Sequence, residues 1–542
     1  MHSLRRPAAT GVLFGAIAVY VALTGLLLAL HARWIVVDWI TVAQAVLLSV
    51  GLAAGYFASR GRTGVAGLAA AMLSGLTAAA VLGGLAALME WTDLRWIFIA
   101  LSRPLFELLT FDRGLRDGVG LLLTLGALAG GCSVAWRLVP VGWRGSVRVG
   151  IVAVIIAGVF QELIQLILQN HPSLDAVREI FYRWDGLTGL GAACVFATAA
   201  ATAFAWSASG ARGCWLAAHS GAARRASGVG LALLLLVAFP FVAGSYIGQV
   251  MMIVALYALM GMGLNLEFGM AGLLDLGFVA FFAVGAYTTA LLSADSPLAL
   301  AALSFWLAMP VAVLASVCVG LLFGLPVLAM RGDYLAVATL GLGEIVRVLV
   351  SSDFASPVLG GAQGVQQIPR PRVAGHELDS PIQLYVLTLA ATLAAAYMAW
   401  RLEGSRLGRA WRAMRDDEDV ARALGIDLVR SKLLAYGLGA GFAGLAGSIF
   451  ATMVTAIYPS SFQLLVSINV LALIIVGGPG SLRGVILGAA VLVGLPELLR
   501  EFGEYRYLFY GTALVLMMRL RPAGLWPKQA SQHESVAPAA HP

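Results

Sequence analysis

"GSRLGRAWRAMRDDEDVARALGID" (404–427) concentrates charge in a chain that otherwise avoids it. Its five arginines (Arg406, Arg409, Arg412, Arg415, Arg422) and five acids (Asp416, Asp417, Glu418, Asp419, Asp427) lie between two long apolar runs. Leu407, Trp411, Met414, Ala421 and Leu424 recur at helical spacing, and the apolar stripe breaks at Glu418. The pattern predicts two short helices rather than one. The first runs from about Ser405 to Arg415, with arginines accumulating toward its C-terminus. The second opens on Asp416 or Asp417 as N-cap, carries Glu418 and Asp419 in its first turn, and closes at Gly425 as the C′ residue. Each charge then sits where a helix dipole favours it.

The surroundings of this stretch set the class. Of 542 residues, 60% are hydrophobic and 12% charged, and the mean hydropathy is +0.89, which excludes an ordinary soluble domain. Apolar runs of about 17 to 25 residues recur along the chain, as spanning helices require, without the weak alternation of a membrane barrel. The expected fold is an all-α polytopic membrane protein with about sixteen transmembrane helices. They lie near 11–31, 38–58, 64–89, 118–136, 149–169, 187–208, 229–247, 250–268, 271–293, 298–326, 333–352, 382–400, 432–457, 463–478, 484–500 and 504–520. The run 229–268 is twice the needed length, punctuated by Pro240 and "GSYIGQ", and counts as two. The first run is longer than the apolar region of a cleaved signal and reads as a retained helix. Cys132, Cys194, Cys214 and Cys318 lack metal-ligand spacing, so neither a disulfide framework, a metal site nor another cofactor is called for.

Basic residues orient the chain. With 401–432 placed in the cytoplasm, 23 of the 35 Lys and Arg residues fall inside, 11 fall outside, and Arg347 lies within a helix. Both termini are then cytoplasmic, and loops 90–117, 170–186 and 353–381 face outward. The net charge of +7 is accounted for by topology, and nucleic acid is not a partner. A basic, small-residue linker at 209–228 separates an N-terminal transmembrane region of about six helices (1–208), of unknown function, from a region of about ten helices (229–527). The tail 528–542 has the composition of a disordered segment.

Two short charged helices on the cytoplasmic face suit docking into a groove on another protein. The plainer alternative is a solvated loop that holds topology and touches anionic membrane lipid. Docking assigns roles to Trp411, Asp417, Glu418, Asp419, Ala421 and Gly425. Charged groups inside spans are costly and face protein or water. Glu267 and Asp275 bracket "FGMAGLL" with Asn265 just before them; they either cap a tight turn or border a pathway. Gly269, Gly272, Gly277 and Gly285 permit close helix approach or local unwinding. Glu344 and Arg347, three apart, either neutralise one another or bound a cavity for a zwitterion. "GGPGSLRG" (477–484) lacks the Lys-Ser/Thr ending of a phosphate loop and reads as a tight turn. There is no Walker motif and no Ser-His-Asp arrangement, so the chain is expected not to be an enzyme and to take its energy from a partner.

"DVARALG" (419–425) resembles the E-A-A-x-x-x-G element of permease subunits of bacterial ABC importers, with Asp419 in place of Glu and Val420 in place of the first Ala. Four longer stretches resemble LivM-type permeases of branched-chain amino acid importers: "LNLEFGMAGLLDLGFVAFFAVGAYTTALL" (264–292), "RGDYLAVATLGLGEIVRVLV" (331–350), "GRAWRAMRDDEDVARALGIDLVRSKLLAYGLGAGFAGLAGSIFA" (408–451) and "IIVGGPGSLRGVILGA" (474–489). The resemblance covers about 230–527. It implies an inner (plasma) membrane importer for branched-chain or related amino acids, working by alternating access. The partners it implies are cytoplasmic ATP-binding subunits docked at the charged stretch, a second permease subunit and a periplasmic substrate-binding protein that docks on the side of loop 360–371. An amino-acid-like substrate would pass Asn265, Glu267, Gly272, Asp275, Glu344 or Arg347. The rivals are a urea or amide permease of the same type, an ion-coupled secondary transporter with Glu267, Asp275 or Glu344 as proton carriers, and a scaffold without transport.

Orientation is tested by single cysteines at Ser405 and Ser356 in an otherwise cysteine-free chain. An impermeant thiol reagent is expected to label Ser356→Cys from outside intact cells and Ser405→Cys only after the membrane is opened.

Overall fold

A computed structural model describes residues 2–527 except Thr63, Leu94, 137–139, 184–185, 209–233, 235, 328–329 and 331–332. The expected linker 209–228, Cys214, the start of the expected helix 229–247 (229–233 and 235) and the tail 528–542 lie outside the described residues. The chain is mostly helical. Among the described residues, nine helices are long and apolar enough to cross a membrane, and a tenth is formed if one bent pair is a single span. Residues 1–234 and 235–542 form two compact units.

In the first unit α1 (His2–Leu23) and α2 (Leu26–His31) are separated at Gly25, whose φ of 77° is left-handed. A single run over 11–31 is therefore two helices. A short hairpin, β1 (Trp34–Val36) and β2 (Ile40–Thr41), precedes α3 (Val42–Ala58). Thr41 and Gln44 start α3 with a reciprocal capping box: the Gln44 N–H donates to Thr41 Oγ1 (3.3 Å) and the Thr41 N–H to Gln44 Oε1 (3.0 Å). The helices α4 (Gly64–Trp91), α5 (Arg103–Thr110) and α6 (Gly114–Ala135) follow. Gly75, Gly126 and Gly130 let the backbones of α4 and α6 touch, with no room for a Cβ. The expected span 149–169 is α7 (Val141–Val159) and α8 (Gln161–Gln169), bent by 74°. Beyond α9 (Asp175–Phe181) come β3 (Tyr182–Arg183), β4 (Gly186–Leu187) and α10 (Gly189–Ala208). The four strands form one sheet in the order β2-β1-β4-β3. An all-α expectation omits it because strands of two or three residues are too short to show alternation.

The second unit carries the motifs. Residues 236–243 are helical up to Gly244 (φ 93°), where α11 (Ser245–Leu264) begins and ends in a π turn, Asn265–Met270. The expected helix 271–293 is not continuous. Residues 271–278 have no regular structure, and α12 spans Val279–Ser293. Then come α13 (Phe305–Val327), α14 (Asp333–Ser351), the hairpin β5 (Arg372–Val373) and β6 (His376–Glu377), and α15 (Pro381–Gly404). The charged stretch folds as α16 (Arg406–Asp416) and α17 (Glu418–Ala423). The long α18 (Leu428–Val454) runs through the middle of the unit against α11, α12 and α13. The chain ends with α19 (Leu464–Gly477), α20 (Leu482–Ala489), a second π turn leading to α21 (Leu495–Leu498), and α22 (Tyr505–Leu520).

Hydrogen bonds show which ends coincide. Val365 bridges Ile457 at the start of α19's approach, while the π turn of α11, the end of α16, the turn 477–481 and residues 525–526 meet at the other end. The unit is sealed there by its own tail: the N–H groups of Leu525 and Trp526 donate to the carbonyls of Val476 (2.8 Å) and Gly477 (3.0 Å).

Candidate functional site

Capping fixes the two charged helices. Ser405 Oγ accepts from the Gly408 N–H (3.3 Å) to start α16. Asp417 Oδ1 accepts from the N–H groups of Asp419 (2.9 Å) and Val420 (3.0 Å) to start α17. At the far end the Ile426 N–H reaches back to the Ala421 carbonyl (3.1 Å) and the Gly425 N–H to the Arg422 carbonyl (3.0 Å). This is a Schellman closure, and Gly425 has the left-handed φ (85°) it requires.

The apolar face of α16 turns inward. Trp411 is fully buried, Met414 nearly so, and the indole Nε1–H of Trp411 donates to the Ser431 carbonyl of α18 (2.8 Å). Trp411 is thus an internal anchor: a helix stripe must be covered, and here the chain's own α18 covers it. Ala421 is buried likewise. Glu418 forms an ion pair with Lys432 of α18 (2.8 Å), with the lysine side chain only 6% exposed. The outward surface of α17 consists instead of Asp419, Val420, Arg422 and Leu424, the last 75% exposed. Sequence periodicity puts Leu424 on the same stripe as the buried Ala421 and leaves out Val420, because it cannot say which residues of a short helix are buried.

Arg415 is the other residue that pattern alone misses. Its guanidinium leaves the end of α16 and donates from Nη1 to the carbonyl of Gly269, inside the π turn of α11. The aliphatic part of the same side chain lies over Gly272, whose φ is 76°. Asn265 Oδ1, also in the π turn, accepts from the N–H of Gly480 (2.9 Å). The charged helix, the break in the span and the "GGPGS" turn are therefore tied together through backbone groups.

The unwound residues 271–278 are held by side chains from three sources. Asp275 Oδ1 accepts from the Gly277 N–H (2.7 Å), Thr339 Oγ1 of α14 from the Leu276 N–H (3.0 Å), and Ser467 Oγ of α19 from the Val279 N–H (2.9 Å). Glu267 and Asp275 are both fully buried and face one another, with Glu267 pressed against Gly439 of α18. Glu267 and Asp275 thus form a buried pair, while Asn265 and Gly272 face Gly480 and Arg415 at the edge of the same break. Glu344 and Arg347 do not join it. Arg347 Nε donates to both carboxylate oxygens of Glu344 (2.9 Å each) in a closed pair that is exposed on α14.

Membrane-length helices, an interrupted span reaching one end of the unit, and a capped charged helix pair bonded to that interruption fit a membrane transport permease. The chain belongs to the family described as branched-chain amino acid transport system / permease component, whose sequence profile matches residues 246–518. It is 40% identical over 323 residues to the high-affinity branched-chain amino acid transport system permease protein LivM of Salmonella typhimurium and to that of Escherichia coli, covering 55% of this chain and 74% of each relative. It is 22% identical over 328 residues to the probable branched-chain amino acid transport permease protein LivM of Methanocaldococcus jannaschii, covering 52% of this chain and 94% of that one. No solved structure matches it.

The caps make a local prediction. Asp417→Ala and Gly425→Val are each expected to weaken α17 by about 1 kcal/mol, seen as roughly fivefold faster amide hydrogen exchange over 418–424, with exchange in α18 unchanged.

Proposed function

We propose that this chain is a permease subunit of an ATP-driven importer for branched-chain or related amino acids in the bacterial inner membrane. Cytoplasmic ATP-binding subunits dock on the outward face of α17, at Asp419, Val420 and Leu424, and a periplasmic binding protein delivers substrate at the opposite end of the unit. We assign sixteen crossings with both termini cytoplasmic. Beyond the nine membrane-length helices among the described residues, the bent pair over 143–169, the shorter or broken helices over 42–58, 189–208, 279–293, 482–498 and 505–520, and the run 229–247 make up the other seven crossings. The domain reading follows: a transmembrane unit outside the family match, a basic linker at 209–228, and the permease unit. A second permease subunit covers α14, because an exposed ion pair on a membrane-length helix is costly against lipid and acceptable against protein or a polar path.

The observation that carries the proposal is the bond from Arg415 to the Gly269 carbonyl. A force applied to α17 passes to α18 through the Glu418–Lys432 pair and through α16 and Trp411. Arg415 delivers it to the place where α11 stops being a helix. Asn265, Glu267, Gly272 and Asp275 lie there, so the pathway and the coupling element share one mechanical junction.

In vesicles containing the assembled importer, Arg415→Met is expected to lower leucine uptake at least tenfold while the ATP-binding subunits still co-purify. Leu424→Asp combined with Val420→Asp is expected to lose those subunits, since removing central apolar contacts commonly costs about 2 kcal/mol or more. Unchanged uptake by Arg415→Met overturns the coupling route. Uptake that collapses with an uncoupler at constant ATP identifies an ion-coupled transporter instead.

A further inference from the structure

The cluster at the break holds more acceptor capacity than the chain itself uses. Both carboxylate oxygens of Glu267, Oδ2 of Asp275 and the hydroxyl of Tyr436 have no hydrogen-bond partner among the described residues. All three residues are at least 98% buried. Tyr436 comes from a different helix, α18, and its hydroxyl lies within electrostatic reach of both carboxyls. No Lys, Arg or His side chain among the described residues pairs with Glu267 or Asp275. Around them are Thr339, whose hydroxyl is committed to the Leu276 N–H and the Ala336 carbonyl, and Gly439, which has no side chain. The nearby cations are engaged elsewhere, Lys432 with Glu418 and Arg415 with the Gly269 carbonyl.

Buried polar groups are almost always paired, and a buried carboxyl left unpaired costs more than a neutral group. Two facing carboxyls out of water cannot both be ionised unless a cation joins them. With one proton shared, the pair keeps a single negative charge, which one monovalent cation neutralises. A primary ammonium has three N–H donors; with the shared proton between one Glu267 oxygen and Oδ2 of Asp275, the other Glu267 oxygen, the remaining lone pairs of the bridged oxygens and the Tyr436 hydroxyl are left to meet them. The location favours a passing ligand over a permanent one. The cluster straddles the unwound segment 271–278, where a discontinuous helix lets the backbone shift, and transporters place substrate sites at such breaks.

We propose that Glu267, Asp275 and the Tyr436 hydroxyl form the subsite that takes the α-ammonium group of the amino acid substrate as it crosses the broken helix, an assignment that rests on the importer reading above. Asp275 has a divided role. Oδ1 holds the turn through the Gly277 N–H and Oδ2 faces the ligand. Gly439 lets the Glu267 carboxyl sit where any Cβ would clash with it, which fixes the acid against α18.

The test is equilibrium binding of radiolabelled leucine to the assembled transporter without its binding protein. Two competitors separate the ends of the substrate: 3-methylbutylamine keeps the ammonium and lacks the carboxylate, and 4-methylpentanoate does the reverse. The amine is expected to displace leucine from the wild type at concentrations at least tenfold lower than the acid. Glu267→Gln and Asp275→Asn are each expected to weaken leucine at least tenfold and to abolish the advantage of the amine. Tyr436→Phe keeps the buried ring, so it tests the site without a packing defect, and is expected to weaken leucine a few-fold. The subsite is overturned if the acid competes as well as the amine, if Tyr436→Phe and Asp275→Asn both bind leucine as the wild type does, or if sodium chloride displaces leucine where choline chloride does not, which marks an inorganic cation site. A wild-type importer that neither binds nor imports leucine overturns the importer reading itself, an outcome distinct from any of these.

Discussion

Everything in the permease unit turns on the point where α11 gives up its helical bonding. A membrane span satisfies its backbone internally, and a break inside hydrocarbon is tolerated only where protein supplies the missing partners. Here the π turn at Asn265–Met270 releases the chain and Arg415 takes the Gly269 carbonyl. Asn265 binds Gly480 across the same end. Two elements far apart in sequence, the charged helix pair and the glycine-rich turn, are therefore positioned by what the broken span lacks. Moving either one changes the bonding of the break.

That arrangement explains why the charged stretch is built with two faces of different character. α16 and α17 are too short to be stable alone, so their position must come from the rest of the unit. Trp411 and Met414 supply it from the apolar side, and Glu418 with Lys432 supplies it from the polar side. Those contacts make the pair stiff. Stiffness is what the proposed coupling role needs, since a helix that yields on its own footing transmits nothing. The face left over, Val420 and Leu424, is then free for a partner.

The caps of this stretch were legible before the structure because they depend on local chemistry. An Asp before an acidic first turn and a Gly seven residues past the helix start have few other readings; Asp417 and Gly425 occupy those places, with Asp416 the alternative N-cap. The neighbourhood of Asn265, Glu267 and Asp275 was legible as a polar interruption, and its glycines as permission to unwind. What the chain does with Trp411 was not legible, since periodicity shows that a face is apolar and not what lies on it. Nor was Arg415 distinguishable from its four neighbouring arginines, because the carbonyl it binds is 146 residues away in the chain. The broken span 271–293 was hidden for a related reason: hydropathy counts apolar residues and is blind to which of them are helical. Short strands in the first unit escaped for want of length.

The unwound segment shows how such a break is kept without water. The N–H groups of 271–273 still reach carbonyls of the π turn; beyond them Thr339 from α14 takes the Leu276 N–H and Asp275 the Gly277 N–H, and Ser467 from α19 takes the Val279 N–H that opens α12. Hydroxyls on neighbouring helices are movable partners: when α14 or α19 shifts, a bond made by Thr339 or Ser467 shifts with it. Asp275 differs because its bond to Gly277 travels with the segment. The segment can therefore change its neighbours while keeping its own turn. The acid that preserves that turn is the one whose second oxygen is left facing Glu267. Structure and charge meet on a single side chain: Oδ1 of Asp275 keeps the turn, and Oδ2 is left to the pairing with Glu267.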